Sequence, residues 1–234
     1  MSDMSDDRSR NDAPVPVDGQ DRDRRPAVFL DKDGTLVENV PFNVDPAQLR
    51  FTPHAIEGLK LLTAFDYRLV VVTNQPGIAL GKFDQRALRA LEEALRARLA
   101  EAGVTLAGFY ACPHAPAAQL RDPAFACPCR KPAPGLLFAA AQTLGIDLSR
   151  SWMVGDILDD IEAGRRAGCR SLLMDVGNET EWRYAPQRVP HGRVADLFDA
   201  ARRIVAYDLE HRLVQENPSW PTASRPLNRS TAGA

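Results

Sequence analysis

What this sequence has least of narrows it first. Its 234 residues carry no excess of either charge, 29 Lys and Arg standing against 31 Asp and Glu. A chain so balanced has no general electrostatic pull toward nucleic acid or an anionic membrane surface. It also lacks any apolar run approaching the roughly 20 residues that span a bilayer, and neither end reads as a cleavable targeting segment. Histidine and cysteine are scarce, four of each, and without a targeting segment a reducing compartment is the expectation. The expectation is a soluble, cytoplasmic, monomeric protein that handles a small molecule and engages neither nucleic acid nor membrane. With 44% of its residues hydrophobic, the chain can bury one ample core.

What is present begins with Asp31-Lys32-Asp33-Gly34-Thr35, directly behind the apolar run Ala27-Val28-Phe29-Leu30. Such a run reads as a buried strand, and ligands of open parallel sheets gather beyond the carboxyl ends of strands. Residues two apart on extended chain project to the same side, so Asp31 and Asp33 can converge while Gly34 lets the backbone turn away. A carboxylate pair can bind a metal, attack phosphorus or handle a proton. Three further segments limit the choice. Leu69-Val70-Val71-Val72 ends in Thr73-Asn74-Gln75, a later stretch carries Arg130-Lys131-Pro132, and Trp152-Met153-Val154 runs into Gly155-Asp156-Ile157-Leu158-Asp159-Asp160. Carboxylates, a hydroxyl with an amide, a cation and more carboxylates make up the inventory for phosphoryl transfer, where catalysis is mostly positioning and charge neutralisation.

The second cluster is Cys112-Pro113-His114 with Cys127-Pro128-Cys129. Three thiolates and an imidazole suit tetrahedral Zn2+, and a closed set of four protein ligands implies a structural site with no place for water. Reduced cysteines or a disulfide in a loop are the plain alternative. The one-residue gaps depart from the usual finger spacing, but a lone proline-rich excursion needs a staple.

In order and over roughly residues 26 to 175, the four segments resemble the motifs of the haloacid dehalogenase superfamily of aspartate-nucleophile phosphatases. The resemblance implies Asp31 as nucleophile and Asp33 as general acid and base. It implies Thr73 and Asn74 as holders of the transferring phosphoryl group, with Lys131 neutralising it. Mg2+ would be bound by Asp31, Asp156 and the backbone carbonyl of Asp33, its water shell oriented by Asp160. The zinc segment leading into Arg130-Lys131-Pro132 looks like the branch of D-glycero-D-manno-heptose 1,7-bisphosphate phosphatases and histidinol-phosphate phosphatases. Thr73 to Phe83 is closer to the heptose enzymes, which implies removal of a C7 phosphate, with histidinol phosphate as the rival substrate. The chain departs from those enzymes at Val40-Pro41-Phe42-Asn43 and at Ile157, which puts a substrate contact in doubt. Arg130, with its fork of donors, is a candidate grip for a second phosphate or a sugar hydroxyl, and Asn43 is a candidate in the framing loop. A nucleic-acid 3′-phosphatase shares such motifs but calls for a basic stripe. A catalytically silent zinc-bearing interaction module has no need of this acid array.

Around these motifs strands alternate with helices, and the expectation is an α/β domain over 26–214, with a doubly wound parallel sheet covered by helices on both faces. Residues 1–25 and 215–234 read as tails with little to bury, Trp220 serving as a packing or docking anchor. Thr52-Pro53 is expected to cap a helix ending near Phe65, and Asp84 to open one ending near Glu101 with a stripe of Leu88, Leu91, Leu95 and Leu99. His54 reads as structural, and Cys169 as a small apolar packer. No insertion is long enough to form a separate lid domain.

Overall fold

A computed structural model of the protein describes residues 24–116 and 127–216. Nearly all of both expected tails, Trp220 included, lies outside the described residues. Arg25 is already tied into the fold, its N–H donating to the Gly145 carbonyl at 3.2 Å and its carbonyl accepting from Asp147 N–H at 3.0 Å.

Six parallel strands form one sheet: β1 (Ala27–Leu30), β2 (Arg68–Asn74), β3 (Gly108–Cys112), β4 (Trp152–Gly155), β5 (Arg170–Met174) and β6 (Gly192–Val194). They lie in the order β3-β2-β1-β4-β5-β6, so the chain winds outward one way and then, from β1, the other. The point of reversal lies between β1 and β4, where a crevice opens beyond the strand ends. Helices α1 (Ala55–Ala64), α2 (Gln85–Glu101), α3 (Gly135–Leu144), α4 (Leu158–Arg166) and α5 (Leu197–Glu216) complete the fold.

Alternation along β1 divides the core in two. Val28 and Leu30 face one layer with Leu59, Leu62, Leu91, Leu95 and Ile204 of α1, α2 and α5. Ala27 and Phe29 face the other, with Leu137, Ala140 and Ala163 of α3 and α4. Both faces are therefore covered, which is why the strands read as continuous apolar runs. The stripe on α2 is fully in the core; each such leucine stabilises by roughly 1.5–3 kcal/mol. Asp84 caps that helix, its side chain accepting from Ala87 N–H at 2.8 Å. Cys169 packs with the second layer, and burial pushes its thiol up to about 12.

Two local expectations need correcting. Thr52 does not cap α1; its hydroxyl donates to the Thr35 carbonyl at 2.7 Å, and the helix starts behind His54, which sits in the left-handed region at φ 57° with no side-chain cap bond. The strand β6 and the long α5, which packs against α1, were not foreseen. No large cap domain interrupts the described residues.

Candidate active site

Register places the acids. Leu30 of β1 pairs with Val154 of β4 and with Val71 of β2, so the residues that follow these strands leave the same edge of the sheet side by side. Asp31 is anchored by its N–H donating to the Val154 carbonyl at 3.0 Å. Gly34 adopts φ +88°, and a Cβ there would stand 2.2 Å from Asp156 Oδ2; the tight turn behind the first strand and the packing of Asp156 both require glycine. Gly155 serves in the same way beneath Asp160, whose Cβ an added methyl would meet at 2.2 Å.

Lys131 occupies the centre and is 2% exposed. Its Nζ contacts the Asp31 carboxylate, lies 2.6 Å from Asp160 Oδ1 and donates to the Val72 carbonyl at 2.9 Å. Burial alone would pull this amine down, but Asp160 and Asp31 outweigh it and hold its pKa above the ordinary range. Asn74 fixes the lysine's backbone: its Nδ2 donates to the Lys131 carbonyl at 3.1 Å, and its Oδ1 accepts from Lys131 N–H at 3.0 Å. The amide expected to hold substrate thus also clamps the cation of the turn before α3 in place.

One oxygen each of Asp31, Asp156 and Asp160 lie within 4.8 Å of one another. Lys131 pairs with two of the three buried carboxylates, and Asp156 and Asp160 both hold their protons more tightly than ordinary acids. Asp156 is pushed up to about 6, by burial first and then by Asp31, although Thr35 Oγ1 donates to its Oδ1 at 3.0 Å and Asn178 Nδ2 to its Oδ2 at 2.8 Å. Asp160 is raised too, chiefly by burial. An all-oxygen, electron-rich set of this kind fits a hard divalent cation such as Mg2+.

Asp33 stands apart from that trio. Gln75 Nε2 donates to its Oδ2 at 2.9 Å, and the nearly buried Lys32 pairs with Oδ1. Its pKa is raised. The largest cause is burial, with Lys32 opposing and Asp31 adding less. Thr73 is buried beside it, its hydroxyl accepting from Gln75 Nε2 at 3.0 Å.

The outer candidates divide. Arg130 Nη1 donates to the His114 carbonyl at 3.2 Å, which ties the guanidinium to the thiol cluster next to Lys131. The Asn43 side-chain oxygen accepts from Asp45 N–H at 2.8 Å, the bond of a local turn. Gln75, Lys32, Thr35 and Asn178 were given no role from sequence. The first three flank motif residues and could have been flagged by adjacency; Asn178 lies in a loop with no pattern to find it by.

The Cys/His cluster closes on itself. Cys112 and Cys127 Sγ are 3.5 Å apart, Cys127 and Cys129 3.2 Å, Cys129 and Cys112 3.2 Å, and His114 Nδ1 is 3.3 Å from Cys129 Sγ. A tetrahedron with Zn–S of about 2.3 Å has edges of about 3.8 Å, so a slight expansion would seat the ion. Burial raises the Cys112 and Cys129 thiols, and the neighbouring sulfurs raise Cys129 further. Thiolates here call for a bound cation, and the donor set fits zinc.

Comparison with known proteins agrees with this geometry. The HAD-hydrolase-like family profile matches residues 128–200. The D-glycero-beta-D-manno-heptose-1,7-bisphosphate 7-phosphatase of Salmonella typhi is 41% identical over 149 residues, 64% of this chain and 79% of that protein. Among solved structures, the D,D-heptose 1,7-bisphosphate phosphatase of B. bronchiseptica, complexed with magnesium and phosphate, superposes with TM-score 0.67 at 29% identity, over 78% of this chain and 99% of that one. A HAD-like phosphatase from Mesorhizobium loti gives TM-score 0.66 at 34% identity, over 78% of this chain and 87% of that one.

Proposed function

Because the chain belongs to the haloacid dehalogenase superfamily of phosphatases, in the branch that holds the heptose bisphosphate phosphatases, and is a phosphomonoester hydrolase, we propose that it removes the C7 phosphate of D-glycero-D-manno-heptose 1,7-bisphosphate through a phosphoaspartate. The observation that carries the mechanism is Lys131 buried between Asp31 and Asp160 with Asp156 alongside. The substrate is supported by the names of the relatives.

In this reading an oxygen of Asp31 attacks phosphorus, the bond from phosphorus to the sugar oxygen breaks, and Asp33 gives that oxygen its proton. Ionised Asp33 then takes a proton from a water that attacks the phosphoaspartate, which releases phosphate and restores Asp31. Lys131 neutralises the transferring group, and Thr73 and Asn74 hold it. Asp31, Asp156 and the backbone carbonyl of Asp33 would hold Mg2+, which supplies further neutralisation of nucleophile and phosphate. Asp160 acts through Lys131 and the water around the ion. Arg130, braced by the zinc loop, reaches for the second phosphate. Zinc on Cys112, His114, Cys127 and Cys129 is structural.

The test is a phosphate-release screen over sugar bisphosphates, both heptose anomers included, and histidinol phosphate, with and without Mg2+. The expected result is Mg2+-dependent turnover with preference for the heptose, abolished in Asp31→Asn. Unchanged hydrolysis in that variant removes Asp31 as nucleophile; preference for histidinol phosphate replaces the substrate and leaves the chemistry.

A further inference from the structure

Gln75 follows directly on β2 and is 4% exposed, yet the reaction just described gives it no task. Its side chain touches two residues that do have one: Nε2 donates both to Asp33 Oδ2 at 2.9 Å and to Thr73 Oγ1 at 3.0 Å. Its own backbone is fixed, the N–H donating to the Cys112 carbonyl at 2.7 Å at the end of β3. A planar amide held at its root and bonded at its tip to two partners sets the distance between them. We propose that Gln75 is a positioning residue for phosphoryl transfer: it holds the Asp33 carboxyl group at the place of the departing sugar oxygen and ties it to the threonine at the phosphoryl end. The inference rests on the reading of Asp33 as acid and base.

The chemistry of the side chain explains why an amide stands here. Ionised Asp33 only accepts hydrogen bonds, and Nε2 serves it. Protonated Asp33 donates; a half-turn of the amide presents Oε1 to it, and the Thr73 hydroxyl, donor or acceptor as required, follows. Lysine could serve only the ionised form. Lys32 already supplies charge at the other carboxyl oxygen, so what Gln75 adds is direction. With Thr73 1% exposed, there is little room for water to take the amide's place.

The leaving group separates positioning of the acid from general damage. In a two-step mechanism kcat/KM reports events up to departure of the alcohol. A sugar phosphate needs a proton on that oxygen, while p-nitrophenyl phosphate expels a stable phenolate without one. With Mg2+ present, Asp33→Asn is expected to lose far more kcat/KM on the sugar phosphate than on the aryl ester. Gln75→Met should show the same pattern in milder form, a fall of ~10²-fold on the sugar phosphate and less than ~10-fold on the aryl ester. In the Asp33→Asn background Gln75→Met should add less than ~3-fold, because the two act as a unit. Equal losses on both substrates, no loss, or full additivity in the double variant would each overturn the positioning role and leave Asp33 as the acid. An Asp33→Asn variant with no leaving-group selectivity overturns both. Should Gln75→Met fail to fold, Gln75→Asn carries the same comparison, keeping a neutral amide that is one methylene too short to hold Asp33 in place.

Discussion

Lys131 faces two demands that pull against each other, since a fully buried amine is costly to ionise and the proposed reaction needs this one ionised. Asp31 and Asp160 resolve the conflict by flanking it. Lys131→Met therefore strands two carboxylates in a buried pocket. Breaking such a group by removing one partner costs roughly 3–5 kcal/mol, so the expected outcome is a urea midpoint well below wild type together with loss of phosphate release. Lys131→Arg is expected to keep the charge and still fail, because the fork needs room that a 2%-exposed position lacks. A variant with wild-type midpoint and undetectable activity would show that the lysine's role is confined to substrate. At this scale the sequence was informative where chemistry follows a strand, as at Asp31 and Asp156, and at Lys131 through the motif around it. It was silent on Asn178, which reaches Asp156 from a loop, because loop contacts leave no periodic trace.

The elements show the same division. β1, β2 and β4 are short apolar runs buried on both faces, and their strand character is plain from composition. α5 escaped because its buried stripe, Leu197, Ala200, Ala201, Ile204 and Val205, includes two alanines and so is weak in apolar contrast. β6 escaped because it has three residues and pairs only with β5. The thiol cluster was legible from the crowding of three cysteines and a histidine into one segment, and its effect is on whole elements: it joins the end of β3 to the turn before α3, and through Arg130 and Lys131 it reaches the active site. Removal of zinc by a chelator, or Cys129→Ser, is expected to open the chain at residues 112–114 and 127–129 to protease and lower the melting temperature, with roughly one zinc per chain found in the untreated protein by metal analysis. A protein equally protected with and without metal would make the cluster a set of reduced cysteines.

His191 ties the loop before β6 to β5 by accepting, through Nδ1, from Ser171 N–H at 3.0 Å. Its ring packs edge-on to Trp152 at 6.4 Å. Burial first, then Arg165 and Arg170, hold its pKa below the ordinary 6.5. The folded state thus binds fewer protons than the unfolded one just below that value, so this contribution is complete above pH 6.5 and declines as the pH falls toward the depressed value. Against His191→Gln, which does not titrate there and retains an acceptor, wild type is expected to lose melting temperature faster between pH 7 and 5; parallel curves would refute it.

Across the whole molecule the charges balance, but the active site does not: of its three clustered carboxylates, Lys131 pairs with two and Asp156 has no cation among the described residues. That local excess couples proton and metal. Asp156, raised to about 6 by burial and Asp31, takes up a proton on folding at mildly acidic pH. Its stabilising contribution is whole below the unfolded value near 3.8 and is lost as pH rises through 6. Above that point the metal-free protein holds an ionised Asp156 against its environment, and a divalent cation relieves the strain of charge. Mg2+ is therefore expected to raise the melting temperature little at pH 5 and progressively more toward pH 7.5, as it ceases to compete with the proton. In Asp156→Asn the increment should be small at every pH. A magnesium increment independent of pH in wild type, or one that survives Asp156→Asn, would place the ion elsewhere than among the acids at the ends of β1 and β4.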